Sequence, residues 1–120
     1  MTLHYLVFDA SDEASGNGSF DAMAFAAADR VPALLAEIGR VLAWAHRVFG
    51  PPGPLDEGGA WDFDLHGLAE PDTPVALAYE GAGRVVLVSG PPGAPTTVTF
   101  TLGGSPGFCQ AFREVFGEVD

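Results

Sequence analysis

The stretch Asp29–Phe49 constrains this chain more than any other. Val31, Leu34, Leu35, Ile38, Val41, Leu42, Ala45, Val48 and Phe49 recur at steps of three and four, which places them on one stripe of a helix. Asp29 is placed to cap the start, Pro32 suits a first turn, and Gly50 followed by Pro51 and Pro52 ends the run. A helix with one long apolar stripe has to lie on another apolar surface, so the next question is what the rest of the chain supplies.

It supplies strands. Leu3–Phe8 ("LHYLVF") is apolar at most positions and reads as a strand covered on both faces. A polar segment with Asn17-Gly18 then makes a tight reversal. The Ala-rich run from Phe20 to Ala28 reads as the returning strand of a hairpin, although Ala is a poor strand former and a helix stays open there. Beyond the helix and the loop "GPPGPLDEGG", Trp61–Leu68 alternates and Val75–Glu80 follows. Arg84–Ser89 ("RVVLVS") is apolar on both faces and reads as a central strand. In Thr96–Leu102, Val98, Phe100 and Leu102 alternate with threonines, so that strand has one buried face. A short closing helix starts at Ser105-Pro106, carries Phe108, Phe112, Val115 and Phe116 on one stripe, and stops at Gly117.

The pattern predicts an α+β fold. Its sheet is mainly antiparallel with five to six strands, in the order β-β-α-β-β-β-β-α, and two helices pack on one face. A length of 120 residues implies one domain, residues 1–120, and a hydrophobic fraction of 48% suffices for its core.

Charge narrows the function. Sixteen acids face five bases, all Arg, for a net charge of −11. Such a field repels phosphate backbones and anionic membranes, and it favours a cationic partner or a role in solubility. The acids are spread evenly between the halves of the chain, which gives little support to the sub-case of an acidic inhibitor that imitates nucleic acid. No apolar run approaches the ~20 residues of a membrane span, and no basic leader precedes an apolar stretch after Met1. The single Cys109 allows neither an internal disulfide nor a cysteine-cluster metal site. The expected compartment is a reducing cytoplasm, and the abundance of Ala, Gly, Pro and Arg suits a GC-rich bacterial genome.

Chemistry has few places to reside. In "WDFDLH", Trp61, Phe63 and Leu65 point to one side of a strand, and Asp62, Asp64 and His66 to the other. Residues two apart on a strand lie about 6.5–7 Å apart and can share one metal, whereas residues four apart cannot without a bulge. Asp64 with His66 is therefore the better pair. Asp56, Glu57, His4 or His46 would have to bring the third ligand, and zinc, manganese or iron would suit the mixed set. The competing reading is the wet face of an ordinary sheet.

No catalytic residue is assigned, since no Ser lies in a nucleophile elbow and a small Cys in an apolar stripe is ordinarily packed. The loop "DASDEASGNGSFD" fails the EF-hand spacing, and "GGSPG" lacks a P-loop lysine. No cofactor is expected beyond that conceivable divalent metal.

The back of the long helix carries Ala33, Ala36, Gly39 and Ala43, flanked by Arg40, Trp44 and Arg47. Small residues let another backbone approach, and Trp and Arg favour interface centres. Gly39, Ala43, Arg40, Trp44 and Arg47 are thus candidate interface residues. The leading expectation is a small acidic non-enzymatic domain that binds a protein partner or itself as a homodimer, without nucleic acid or membrane. One alternative is a metal-dependent enzyme on Asp62, Asp64 and His66. The other is a small-molecule pocket between sheet and helices near Trp44, Trp61 and Tyr79.

Overall fold

The structure, a computed structural model, describes residues 3–91 and 93–116. Six strands and two helices follow the expected order: β1 (Asp9–Asp12), β2 (Gly18–Ala26), α1 (Val31–Phe49), β3 (Trp61–Ala69), β4 (Thr73–Tyr79), β5 (Val85–Ser89), β6 (Thr96–Gly104) and α2 (Pro106–Phe116). They form one antiparallel sheet in the spatial order β1-β2-β6-β3-β4-β5, with both helices on one face. The expected stop of the last helix at Gly117 lies outside the described residues.

β6 is the middle of this arrangement because it has two good partners. Its Val98, Phe100 and Leu102 face Ala24, Ala22 and Phe20 of β2 on one side, and Gly67, Leu65 and Phe63 of β3 on the other. These rows bury their apolar side under the helices, and the threonines between them face outward. Ala22, Ala24 and Ala26 are buried on the helix side of β2, while Met23 and Phe25 are exposed on the open side. The ambiguous Ala-rich run is therefore a strand. Its small residues admit the helices, which outweighs the poor strand propensity of Ala.

The helices interlock through aromatic rings. Trp44 packs against Phe49, Phe108, Phe112 and Phe116, with centroids 5.2–6.2 Å apart. Trp61 stacks on Phe108 at 5.8 Å and donates its indole N–H to the Gly50 carbonyl at 2.9 Å. α2 begins as expected, with Ser105 Oγ accepting from the Phe108 N–H at 3.3 Å. α1 differs at its start. Residues 28–30 form a 3₁₀ turn, and the Asp29 side chain caps nothing.

Two strand assignments differ from the sequence reading. Leu3–Phe8 is not a strand; the first strand is the exposed Asp9–Asp12. Leu6 is buried in the core as its apolar character requires, but the backbone there bonds to a side chain of α1 instead of to a neighbouring strand. The second difference is β5, which lies at the sheet edge rather than in the centre. An apolar strand of this kind is ordinarily paired and covered on both sides. Here α1 and β4 cover one face and one edge only.

Candidate functional site

An apolar opening lies on the helix side of the sheet, beside α1. α2 packs over β2 and β6, and α1 reaches the β4–β5 hairpin through Gly39. Between the first half of α1, the hairpin and Pro91, Gly93 and Ala94, the helix side of the sheet is left open. A cleft of about 490 Å³ results, lined by Val31 and Leu35 of α1, Leu77 of β4, Val85 and Leu87 of β5, and Val98 of β6. Gly67 does not open the gap, since Val75 and Leu77 pack over it; a Cβ there would lie 2.3 Å from Val75 Cγ2.

Two polar groups reach the lining, Thr96 and Arg84. The Thr96 hydroxyl donates to the Ala94 carbonyl at 3.0 Å. Arg84 lies beside Glu80, with Nε 3.6 Å from Oε1, and is the one charged side chain among the described lining residues. The cleft is thus an apolar trough with a cation at its rim, a common construction for ligand sites of about 300–1,000 Å³.

The region near Trp44, Trp61 and Tyr79, where the sequence suggested a pocket, is packed with aromatic rings. Rings fill that end of the molecule: Trp44 lies among four phenylalanines, and Trp61 is stacked between Phe63 and Phe108. His46 sits 5.2 Å from Trp61 and 5.0 Å from Tyr79 between ring centroids, and its buried Nε2 has no hydrogen-bond partner in the structure.

The row Asp62, Asp64 and His66 lies on the open face of the sheet, as its period required. Asp64 Oδ2 and His66 Nε2 approach to 3.7 Å, and both side chains are exposed, at 72% and 73%. Asp62 turns to its own backbone and accepts the Phe63 N–H at 2.9 Å. His46 is on the helix side against Trp61, and His4 is beside Glu37 of α1, so neither joins the row. Among the described residues, no three His, Cys, Asp or Glu side chains come together as a metal site.

The five candidate interface residues on α1 part company. Gly39 is buried under the turn that joins β4 to β5; a Cβ there would lie 1.9 Å from the Gly83 carbonyl oxygen. Ala43 packs against the same glycine, and Trp44 is inside the aromatic core. The close approach that the small residues allow is made by this chain's own hairpin. Arg40 and Arg47 remain exposed.

Cys109 is buried and donates to the Gly104 carbonyl with Sγ at 3.5 Å. Burial raises its pKa above the ordinary thiol value, partly offset by the nearby Arg113 guanidinium.

One residue escaped the sequence reading. Glu37 is 1% exposed, and its carboxylate accepts three successive backbone N–H groups, from His4, from Tyr5 at 2.8 Å and from Leu6 at 2.8 Å. Arg40 Nη2 lies 3.6 Å away on the solvent side. The signal was its phase. Glu37 falls three residues after Leu34 and four before Val41, on the buried stripe. An acid on that stripe needs donors, and the 3–8 segment provides them.

The chain matches no protein-family model, no curated protein and no solved structure.

Proposed function

We propose that this protein is a non-enzymatic binding domain whose site is the apolar cleft between α1 and the β4–β5 hairpin. The observation that carries the reading is the cleft itself, about 490 Å³ of space lined mainly by apolar side chains of α1, β4, β5 and β6. An apolar group enters it, and Arg84 favours an acidic or polar end at the rim. The net charge of −11 selects against nucleic acid and favours a protein or small-molecule ligand over any polyanion.

The test uses an anionic apolar dye, 8-anilinonaphthalene-1-sulfonate, titrated against the folded protein and an Ala94→Trp variant that fills the cleft from its loop wall. Saturable binding to wild type with a Kd on the order of 10–100 µM, weakened about tenfold in the variant, is expected. Near-UV circular dichroism confirms that both proteins are folded, because loosely packed states also take up this dye. No saturable binding to folded wild type, or equal binding by the variant, refutes the assignment.

A further inference from the structure

We infer that β5 pairs with β5 of a second copy of this chain, so that two sheets join edge to edge about a twofold axis. This goes beyond the cleft reading and stands on a different feature, the chemistry of the two sheet edges. The outer edge at β1 is defended. It is exposed and carries Asp9 beside Asp12, which is paired with Arg113 at 3.2 Å, so the Asp9 charge sets two β1 strands against each other. The opposite edge carries no such device over its regular part. Val85-Val86-Leu87-Val88 is uncharged, with Leu87 38% and Val88 62% exposed. Its sequence is that of a strand with neighbours on both sides, yet it has one.

The backbone sets the register. The Arg84 N–H donates to the Gly81 carbonyl, and the Arg84 carbonyl accepts from the Glu80 N–H, so both groups are engaged within the hairpin. Strand alternation then turns the N–H and C=O of Val86 toward β4, where Val86 faces Ala78, and those of Val85 and Leu87 outward. At Val88 the register slips by one residue, which ends the regular edge.

An antiparallel copy that uses these outward groups is therefore centred on Val86. Val85 of each chain faces Leu87 of the other, and each of those two pairs exchanges two backbone hydrogen bonds. Val86 meets Val86 across the axis in the closer, non-hydrogen-bonded arrangement. Paired residues share a face, so Val85 and Leu87 of the second copy lie on the helix side and extend the apolar wall of the cleft. Because β1 is defended, the association closes as a dimer and does not propagate as a filament.

The contact is short, which puts it at the small end of interface sizes and predicts a dissociation constant of about tens of micromolar. Each copy carries a net charge of −11, so added salt strengthens the pairing. A basic partner strand on the same edge would show the opposite salt dependence.

Sedimentation equilibrium from about 5 to about 200 µM, in about 0.05 and about 0.5 M NaCl, tests this. A monomer–dimer equilibrium that tightens with salt is expected. Val86→Asp sets two like charges against each other across the axis and raises the dissociation constant about tenfold or more. As the positive arm, Val86→Cys should form an intermolecular disulfide on mild oxidation, since facing non-hydrogen-bonded residues have Cα atoms about 4.5 Å apart. Ser89→Cys, beyond the register slip, should cross-link far more slowly. A wild type that stays monomeric at the highest concentration and salt, with no cross-link through residue 86, overturns the inference. So does a dimer indifferent to Val86→Asp, which would place the contact elsewhere.

Discussion

Replacing Glu37 by Ala isolates the one buried carboxylate that ties the start of the chain to α1. Three backbone N–H groups lose their acceptor at once. The Leu6 N–H is buried, and leaving it unsatisfied costs about 1–3 kcal/mol. The His4 and Tyr5 groups are partly buried; water takes up some of their loss, and about 1 kcal/mol each is reasonable. The sum is about 3–5 kcal/mol, a large share of the ~5–15 kcal/mol that holds a domain together. For a chain of this size that lowers the melting temperature by roughly 10–20 °C. Glu37→Gln keeps one oxygen and should lose about half as much. Arg40→Ala is the control. Its guanidinium is half exposed and 3.6 Å from the carboxylate, so removing it should change stability by no more than about 0.5 kcal/mol. Urea unfolding gives the free energies, and hydrogen exchange at Tyr5 and Leu6 reports whether the segment has come loose. If Glu37→Ala loses less than about 1 kcal/mol and those amides stay protected, the carboxylate is not what holds residues 4–6.

Gly39→Ala should destabilise by about 1–3 kcal/mol, because the new methyl meets the Gly83 carbonyl; in an open helix the same change would stabilise by about 1 kcal/mol, so the sign of a urea-melt difference decides the matter. The Cys109 thiol should react with a disulfide reagent at pH 8 far more slowly in the folded protein than in denaturant. Its raised pKa also predicts stability that is full below the unfolded thiol value of about 8.5 and falls as pH rises toward the folded value, since the unfolded chain then releases a proton that the folded one keeps. Zinc or manganese added to the protein should leave the melting temperature unchanged, and a clear rise abolished by Asp64→Ala or His66→Ala would restore the metal reading of that strand.

The periods of the sequence determined the elements. A step of two along Trp61–Leu65 and Val98–Leu102, and steps of three and four along α1, reflect which side of each element is buried, and burial is what local patterning records. The same periods put Asp62, Asp64 and His66 on the open face and kept the two helices on the other. Tertiary structure decided what the periods leave blank. "RVVLVS" has the composition of a central strand, yet its neighbours are set by the order in which strands add to the sheet, and that order left β5 at the edge. The small residues of α1 announced a close approach, but only the fold showed that the approaching backbone is the Gly83 turn of the same chain. Leu3–Phe8 is apolar enough for a strand, and its backbone found a better acceptor in Glu37, thirty-one to thirty-three residues away. The cleft has no sequence signature at all, because it depends on how α1 lies across the sheet, touching the β4–β5 turn at Gly39 and leaving a gap beside Val31 and Leu35.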